Sequence, residues 1–442
     1  MTTVYRRAAW ILVMVLAVLP VAGALPAAGP VALQPLIDAT PDGETLALQP
    51  GIYSGPVIID KPMVLDGAGR ATLDAGGRGS VIVLDTDSAT VRGMTLRNSG
   101  DSHNDIDSGV QVRGNFNVVK DNVIEDCLFG IDLQQSEHNI VRRNTISSKD
   151  RPLGQRGDAV RLWYSFHNKV TDNEIHDARD TVVWYSANNQ FLRNSSRDSR
   201  YSLHFMYSRY NLVEGNRYVN NTVGIFLMYS DGVVIRGNHI AHAAGPTGVG
   251  VGFKESSDVT VEDNEILYCA SGLYVDISPY QPGTTNTFSN NLIAFNGIGV
   301  RFLNDWKDNH FTANRFVDNL TQVVVSSGKT ANRNLWRGNY WSDYQGFDED
   351  RDRVGDSPYE LYAYADRLWQ DKPYAQFFKG SPMLEVLDFL ERLAPFSAPK
   401  MLVRDDEPAT APEFVIAMAD EDVESTGAQD ALSILRQSLN RE

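Results

Sequence analysis

The side chains best suited to hold a soft metal ion are His204, Met206 and Met228: an imidazole, a thioether two residues later, and a second thioether 22 residues beyond that. Thioether sulfur is a soft donor that favours Cu(I) over Ca²⁺, Mg²⁺ or Zn²⁺, and imidazole binds copper in either oxidation state. Two Met, one His and open access suit a cuprous ion held in passage rather than stored. Trp184 adds an aromatic face that could shield such an ion and contribute a cation–π attraction. A second candidate set is hard. Asp348, Asp350, Asp352 and Asp356 occupy positions 1, 3, 5 and 9 of an EF-hand-like loop, an arrangement suited to Ca²⁺. The match is partial, because Arg353 stands where such a loop needs Gly and Tyr359 where it needs a bidentate Glu. Without an ion the stretch reads as a solvated acidic loop with Arg351 and Arg353 as internal counterions.

Residues 22 apart meet only if the chain returns to the same place at that interval, and it does. Between residues 109 and 340 a short phrase recurs about every 22 to 29 residues: an apolar strand, an Asn, an alternating pair and a second Asn. It appears at Asn117 to Asn122, Asn139 to Asn144, Asn168 to Asn173, Asn189 to Asn194 and Asn211 to Asn216, and continues to Asn334 and Asn339. Units this short cannot bury an apolar face alone and must stack. The intervening segments are short β-branched runs punctuated by Gly and Asn, without helical periodicity. The expected fold is all-β, a right-handed parallel β-helix, with Asn at matching turns in the left-handed conformation and bonded in ladders along the axis.

Alignment of one strand per coil on its terminal Ser (Ser136, Ser165, Ser186, Ser208, Ser230, Ser256 and Ser278) gives the register of the candidate donors. The second and fourth positions are apolar apart from Thr181, so they face inward, and the third and fifth face out. Down the fifth position run Gln134, Trp163, Trp184, Met206, Met228, Lys254 and Asp276, with Tyr164, Tyr185, Tyr207 and Tyr229 stacked beside them. His204 shares a face with Met206 and lies between Val182 and Phe226 of the adjoining coils. The three donors are thus expected on neighbouring strands, with backbones about 5 to 7 Å apart. The plainer explanation is an outer face covered by a loop or a partner. Of nine Met, however, Met1 and Met14 fall in the leader described next, and two of the remaining seven stand in this column beside His204. A rival reading makes the aromatic column a sugar platform with Asp132 and Asp276 as exposed carboxylates. These lie several coils apart, beyond the roughly 5 to 9.5 Å that glycoside hydrolysis requires.

Residues 1–24 read as a secretory signal peptide: Arg6-Arg7, an apolar run from Ala8 to Gly23 and a small-residue cleavage site. The expected organisation is a β-helix over 25–345, an Asp-rich loop and connector over 346–380, an amphipathic helix over 381–398 and an acidic tail over 399–442, mobile from about residue 404. A formal charge of −16 argues against nucleic acid as a partner. Cys127 and Cys269 lie six coils apart, roughly 29 Å and far beyond disulfide reach, and are expected as inward, unpaired thiols. His138 and His167 read as exposed corners.

The segment Gly338-Asn339-Tyr340-Trp341-Ser342-Asp343-Tyr344 runs on to Gly355-Asp356-Ser357-Pro358-Tyr359, and a later stretch reads Leu387-Asp388-Phe389-Leu390-Glu391-Arg392-Leu393-Ala394-Pro395-Phe396. With the solenoid, these resemble the NosD family. The resemblance covers nearly the whole mature chain. It implies a periplasmic accessory subunit, not an enzyme, bound at the inner membrane to an ABC-transporter permease with a separate ATPase. It further implies receipt of copper from a lipoprotein chaperone and delivery to apo nitrous oxide reductase. In that setting the apolar stripe Leu384, Leu387, Phe389, Leu390, Leu393 and Phe396 is read as docking into the permease, or alternatively as capping the open end of the solenoid. The competing functional class is a carbohydrate-binding or carbohydrate-modifying β-helix.

Overall fold

The computed structural model describes residues 30–326, 329–363 and 400–412, together with Val386 and Leu390. Residues 1–24, read above as a signal peptide, and most of the 381–398 segment lie outside the described residues.

Each coil contributes three short strands. One column forms a twelve-stranded parallel sheet from Val57–Ile59 to Thr321–Val325. The other two columns, exemplified by Val118–Lys120 and Val123–Cys127, belong to a 25-stranded sheet folded around the remaining sides. Alternation decides what fills the interior. Ile131, Leu133, Leu203, Phe205, Ile225 and Leu227, at the second and fourth positions of their strands, are fully buried, each contributing about 1.5–3 kcal/mol of apolar burial. Cys127 and Cys269 are free thiols inside this core, pushed up to about 12 by burial.

The terminal Ser residues hold the register they were used to read. The Ser165 N–H donates to Ser186 Oγ at 3.0 Å, Ser186 to Ser208 at 3.2 Å, and Ser208 to Ser230 at 3.1 Å. Buried Asn residues form a parallel ladder at another corner. The backbone N–H of Asn122 donates to Asn144 Oδ1 at 3.1 Å, Asn144 to Asn173 at 3.0 Å, and so on to Asn339. The left-handed conformation, expected at these Asn, falls one residue earlier instead, at Asp121, Arg143, Asp172 and Arg193. The turn residue bends the backbone, which frees the next Asn amide to bond its neighbours.

Both ends are closed. At the start, Leu33 and Ile37, the latter on a six-residue helix Gln34–Ala39, plug the first coil. At the other end the strand Tyr359–Ala363 pairs antiparallel with Lys400–Asp405. Tyr359 stacks on Trp341, and Trp341 on Phe316, each at 4.3 Å between centroids. Asp405 is fully buried and accepts from the Asn339 N–H at 3.0 Å, so it terminates the Asn ladder. One expectation is corrected here. Residues 404–412 are ordered and hydrogen-bonded to the last coil, because the ladder needs a final acceptor. The open end is capped by this hairpin.

Candidate metal centre

The strand register brings the soft donors together. Val182, His204 and Phe226 are cross-strand partners, as are Trp184, Met206 and Met228. His204 leans diagonally over its neighbour, placing Nε2 3.2 Å from Met228 Sδ. With a metal–nitrogen bond of about 2.0 Å and a metal–sulfur bond of about 2.3 Å, that 3.2 Å separation corresponds to an N–metal–S angle of roughly 95°. One ion could therefore sit on both donors with small adjustments. Met206 lies directly across from Met228 on the next strand and two residues from His204, in reach as a third donor through a flexible side chain. All three are half-buried.

The imidazole is packed among aromatic rings. Its ring stacks on Tyr201 at 4.7 Å and meets the edge of Phe226 at 6.4 Å. Burial pulls its pKa down to about 4, with Arg200 acting in the same direction and Asp180 against it. Near neutral pH the ring is therefore uncharged. Beneath it Arg200 clasps Asp180, with Nε 3.0 Å from Oδ1, and Arg179 holds Asp158 at 2.8 Å. Asp158 is pushed up to about 6, chiefly by burial and also by Asp180.

Tyr201 is the contact that sequence reasoning missed. Six residues separate Asp180 from Ser186, but seven separate Tyr201 from Ser208. The mismatch appears as a register shift after the Asp180–Tyr201 pair; Tyr201 is in register with Val223 on the next strand, and its ring turns outward to stack on His204 where simple alternation places it inside. The difference in spacing was the available signal.

The rest of the column is as aligned, with differences. Tyr164, Tyr185, Tyr207 and Tyr229 stack at 5.0, 5.2 and 4.7 Å, each in the left-handed region. Trp184 neighbours Met206, but Arg161 already lies 5.8 Å over its ring, and its Nε1 is sealed without a hydrogen-bond partner. Lys254 follows Met228 and bounds the soft donors with a cation. Asp132, expected on the surface, is fully buried between Arg113 at 2.8 Å and Arg161 at 2.7 Å. Its position is outward in the alternation, but the two guanidinium stems cover it. His138 and His167 are exposed corners, stacked in a row with Phe116.

In the acidic loop, ligand oxygens of Asp348, Asp350 and Asp352 lie within 4.8 Å of one another. Asp356 is not among them: its Oδ2 accepts from the Glu349 N–H. Of the apolar stripe, Leu384, Leu387, Phe389, Leu393 and Phe396 lie outside the described residues. Leu390 is helical and exposed, as is Val386 one turn before it.

A family model described as "Periplasmic copper-binding protein (NosD)" matches residues 143–346, a stretch that contains Trp184, His204, Met206 and Met228. A "Probable ABC transporter binding protein NosD" from Pseudomonas aeruginosa is 29% identical over 377 residues, covering 79% of this chain and 84% of that protein. The chain is similar to NosD proteins over about four fifths of its length. A relative of the same name from Stutzerimonas stutzeri is 28% identical over 387 residues, covering 80% of this chain and 84% of the other. A second family model, "Right handed beta helix region", matches residues 70–196. Among solved structures, the A-module of the mannuronan C-5 epimerase AlgE6 of Azotobacter vinelandii superposes with a TM-score of 0.53 at 14% identity, over 66% of this chain and 90% of that one. That likeness concerns the fold alone.

Proposed function

We propose that this protein is a member of the NosD family that accepts Cu(I) in the periplasm and passes it on, with His204 and Met228 as the paired donors and Met206 as the third. The observation that carries the reading is the convergence of a neutral imidazole and a thioether at 3.2 Å on adjacent coils. The donors carry no charge, so a bound Cu(I) keeps its own, and Lys254 stands one strand away. Such a site binds without trapping, as a carrier must. Trp184 borders the pair as a partial shield. In this reading the chain is the accessory subunit of an ABC transporter at the inner membrane, served by a permease and an ATPase. It receives copper from a lipoprotein chaperone and supplies apo nitrous oxide reductase. The stripe Leu384, Leu387, Phe389, Leu390, Leu393 and Phe396 docks the permease, and Asp348, Asp350 and Asp352 hold a structural Ca²⁺. A binding role is favoured over catalysis: Asp132 is locked by two Arg, and Asp276 lies six strands from it in the same sheet.

The test is a Cu(I) titration against a chromophoric chelator, comparing the wild type with Met206→Ala/Met228→Ala and His204→Ala. Uptake of one Cu(I) that both variants lose supports the reading. Equal uptake by all three proteins, or none by any, removes the column as the metal site.

A further inference from the structure

Metal-bound imidazoles are ordinarily aimed by a hydrogen bond from their second ring nitrogen to a carboxylate, a carbonyl or a water. For His204 the described residues supply none: the polar contact of its ring is that of Nε2 with Met228 Sδ at 3.2 Å. What holds the ring is aromatic. Tyr201 lies against it at 4.7 Å and 17°, close to parallel. Phe226 stands edge-on to both rings, 6.2 Å from Tyr201 and 6.4 Å from His204, at 85° to each. Phe226 has its place because the next strand carries Gly252 opposite it, where a Cβ would come within 2.3 Å of the Phe226 ring.

Tyr201 is anchored in turn. The guanidinium of Arg200 lies over its ring, 5.1 Å from the centroid. Asp180 is buried, and its Oδ1 accepts from Arg200 Nε at 3.0 Å and from the Tyr201 N–H at 3.2 Å. One carboxylate oxygen thus fixes both the guanidinium and the backbone from which the ring projects. A buried ion pair is a poor source of net stability, and its best-attested use is to hold one arrangement against others. Contacts that serve the solenoid recur from coil to coil, as the stacked Tyr164, Tyr185, Tyr207 and Tyr229 do. The stacked ring of Tyr201 does not. The residues in register with it on the later strands are Val223, Val249, Ser271, Ile298 and Thr321, and the ring stands in the coil that carries His204.

We infer that Tyr201 is the positioning residue of the soft-donor site: stacked on His204 and anchored through Arg200 and Asp180, it aims Nε2 at Met228 in place of the usual hydrogen bond. An imidazole aimed by stacking gains no added basicity from a carboxylate on its other nitrogen. It therefore grips a soft cation less tightly, which suits release to an acceptor. This role deepens the copper reading above and rests on it for its purpose, while the placement of the ring is tested without metal.

Tyr201→Phe keeps the stack, and Tyr201→Leu removes it while leaving an apolar side chain. In the metal-free full chain, the His204 ring protons are identified in NMR spectra by their loss in His204→Ala. In the wild type and Tyr201→Phe they should carry an upfield ring-current shift and a nuclear Overhauser contact with the Met228 methyl. Both should be lost in Tyr201→Leu. Cu(I) affinity by chelator competition should stay within about twofold of wild type for Tyr201→Phe and fall at least about tenfold for Tyr201→Leu. If Tyr201→Leu folds poorly, Arg200→Gln, which leaves the ring and removes its anchor, takes its place and should weaken the same contact. A His204–Met228 contact that persists without the stack, or a loss as large in Tyr201→Phe as in Tyr201→Leu, overturns the inference. Absence of Cu(I) uptake by the wild type overturns the copper reading instead, and the metal-free comparison still decides the role of Tyr201.

Discussion

Replacing Asp405 by Ala should open the C-terminal end of the solenoid. Its carboxylate is fully buried and accepts from the Asn339 N–H at 3.0 Å, Asn339 Nδ2 at 2.9 Å, Trp341 Nε1 at 3.3 Å and the Gly338 N–H at 3.1 Å. The first three donors are buried. Each unpaired buried donor costs about 1–3 kcal/mol, and partial entry of water relieves some of it, so the loss should be about 3–6 kcal/mol. Asp405→Asn keeps one acceptor oxygen but turns an amide donor toward the others, and should cost about half as much. Urea unfolding followed by tryptophan fluorescence reads the energy, because Trp336 and Trp341 sit under the cap. Hydrogen exchange over residues 335–344 localises it. A loss below about 1 kcal/mol for Asp405→Ala, with exchange at Gly338 and Asn339 unchanged, would mean that the ladder does not need its terminal acceptor.

Met228→Leu preserves volume and removes one donor, so Cu(I) affinity measured by chelator competition should fall at least about tenfold, with thermal stability within about 1.5 kcal/mol of wild type. Gly252→Ala touches no donor, but its Cβ would lie 2.3 Å from the Phe226 ring, which abuts His204; it should cost about 1–3 kcal/mol and weaken Cu(I) binding. Asp158, raised from 3.8 to about 6 by burial, binds its proton more tightly when folded. Its stabilising contribution is full below about pH 4 and lost as pH rises through 6, so wild type minus Asp158→Asn should decline by up to ~3 kcal/mol between pH 4 and 7. Parallel melting profiles for the two proteins across that range would contradict this. Millimolar Ca²⁺ should raise the melting temperature of the wild type by a few degrees and leave Asp350→Asn unmoved.

The coil register was legible because every signal repeated. Ser, Asn and alternating apolar residues recur at fixed offsets, so an error in one coil is corrected by the next. The same redundancy fixed Met206 beside Met228. What repeats do not encode was harder to read. The register shift at Tyr201 depends on one coil, that of Asp180, being a residue shorter before its Ser than the coils that follow. Asp132 is buried by two long side chains rather than by its place in the alternation. The cap rests on pairing between residues 359–363 and 400–405, a contact across some 40 residues with no periodic cue. The acidic loop offered four carboxylates at regular spacing, but its backbone bends Asp356 away from the other three toward Glu349.

A solenoid also sets distance. His204 and Met228 stand on adjacent strands, with four further strands of their sheet between Met228 and its C-terminal edge. At about 4.8 Å per strand, the donors lie roughly 19 Å along the axis from that edge. Because the coils are locked by an Asn ladder that runs unbroken from Asn216 to Asn339, this offset behaves as a rigid standoff rather than a tether. A protein anchored at the C-terminal end would carry the metal at a fixed height, and any molecule exchanging copper with it must meet it there. Adding or deleting one coil between the donors and the cap would change that height by a single strand spacing and leave the donors themselves intact.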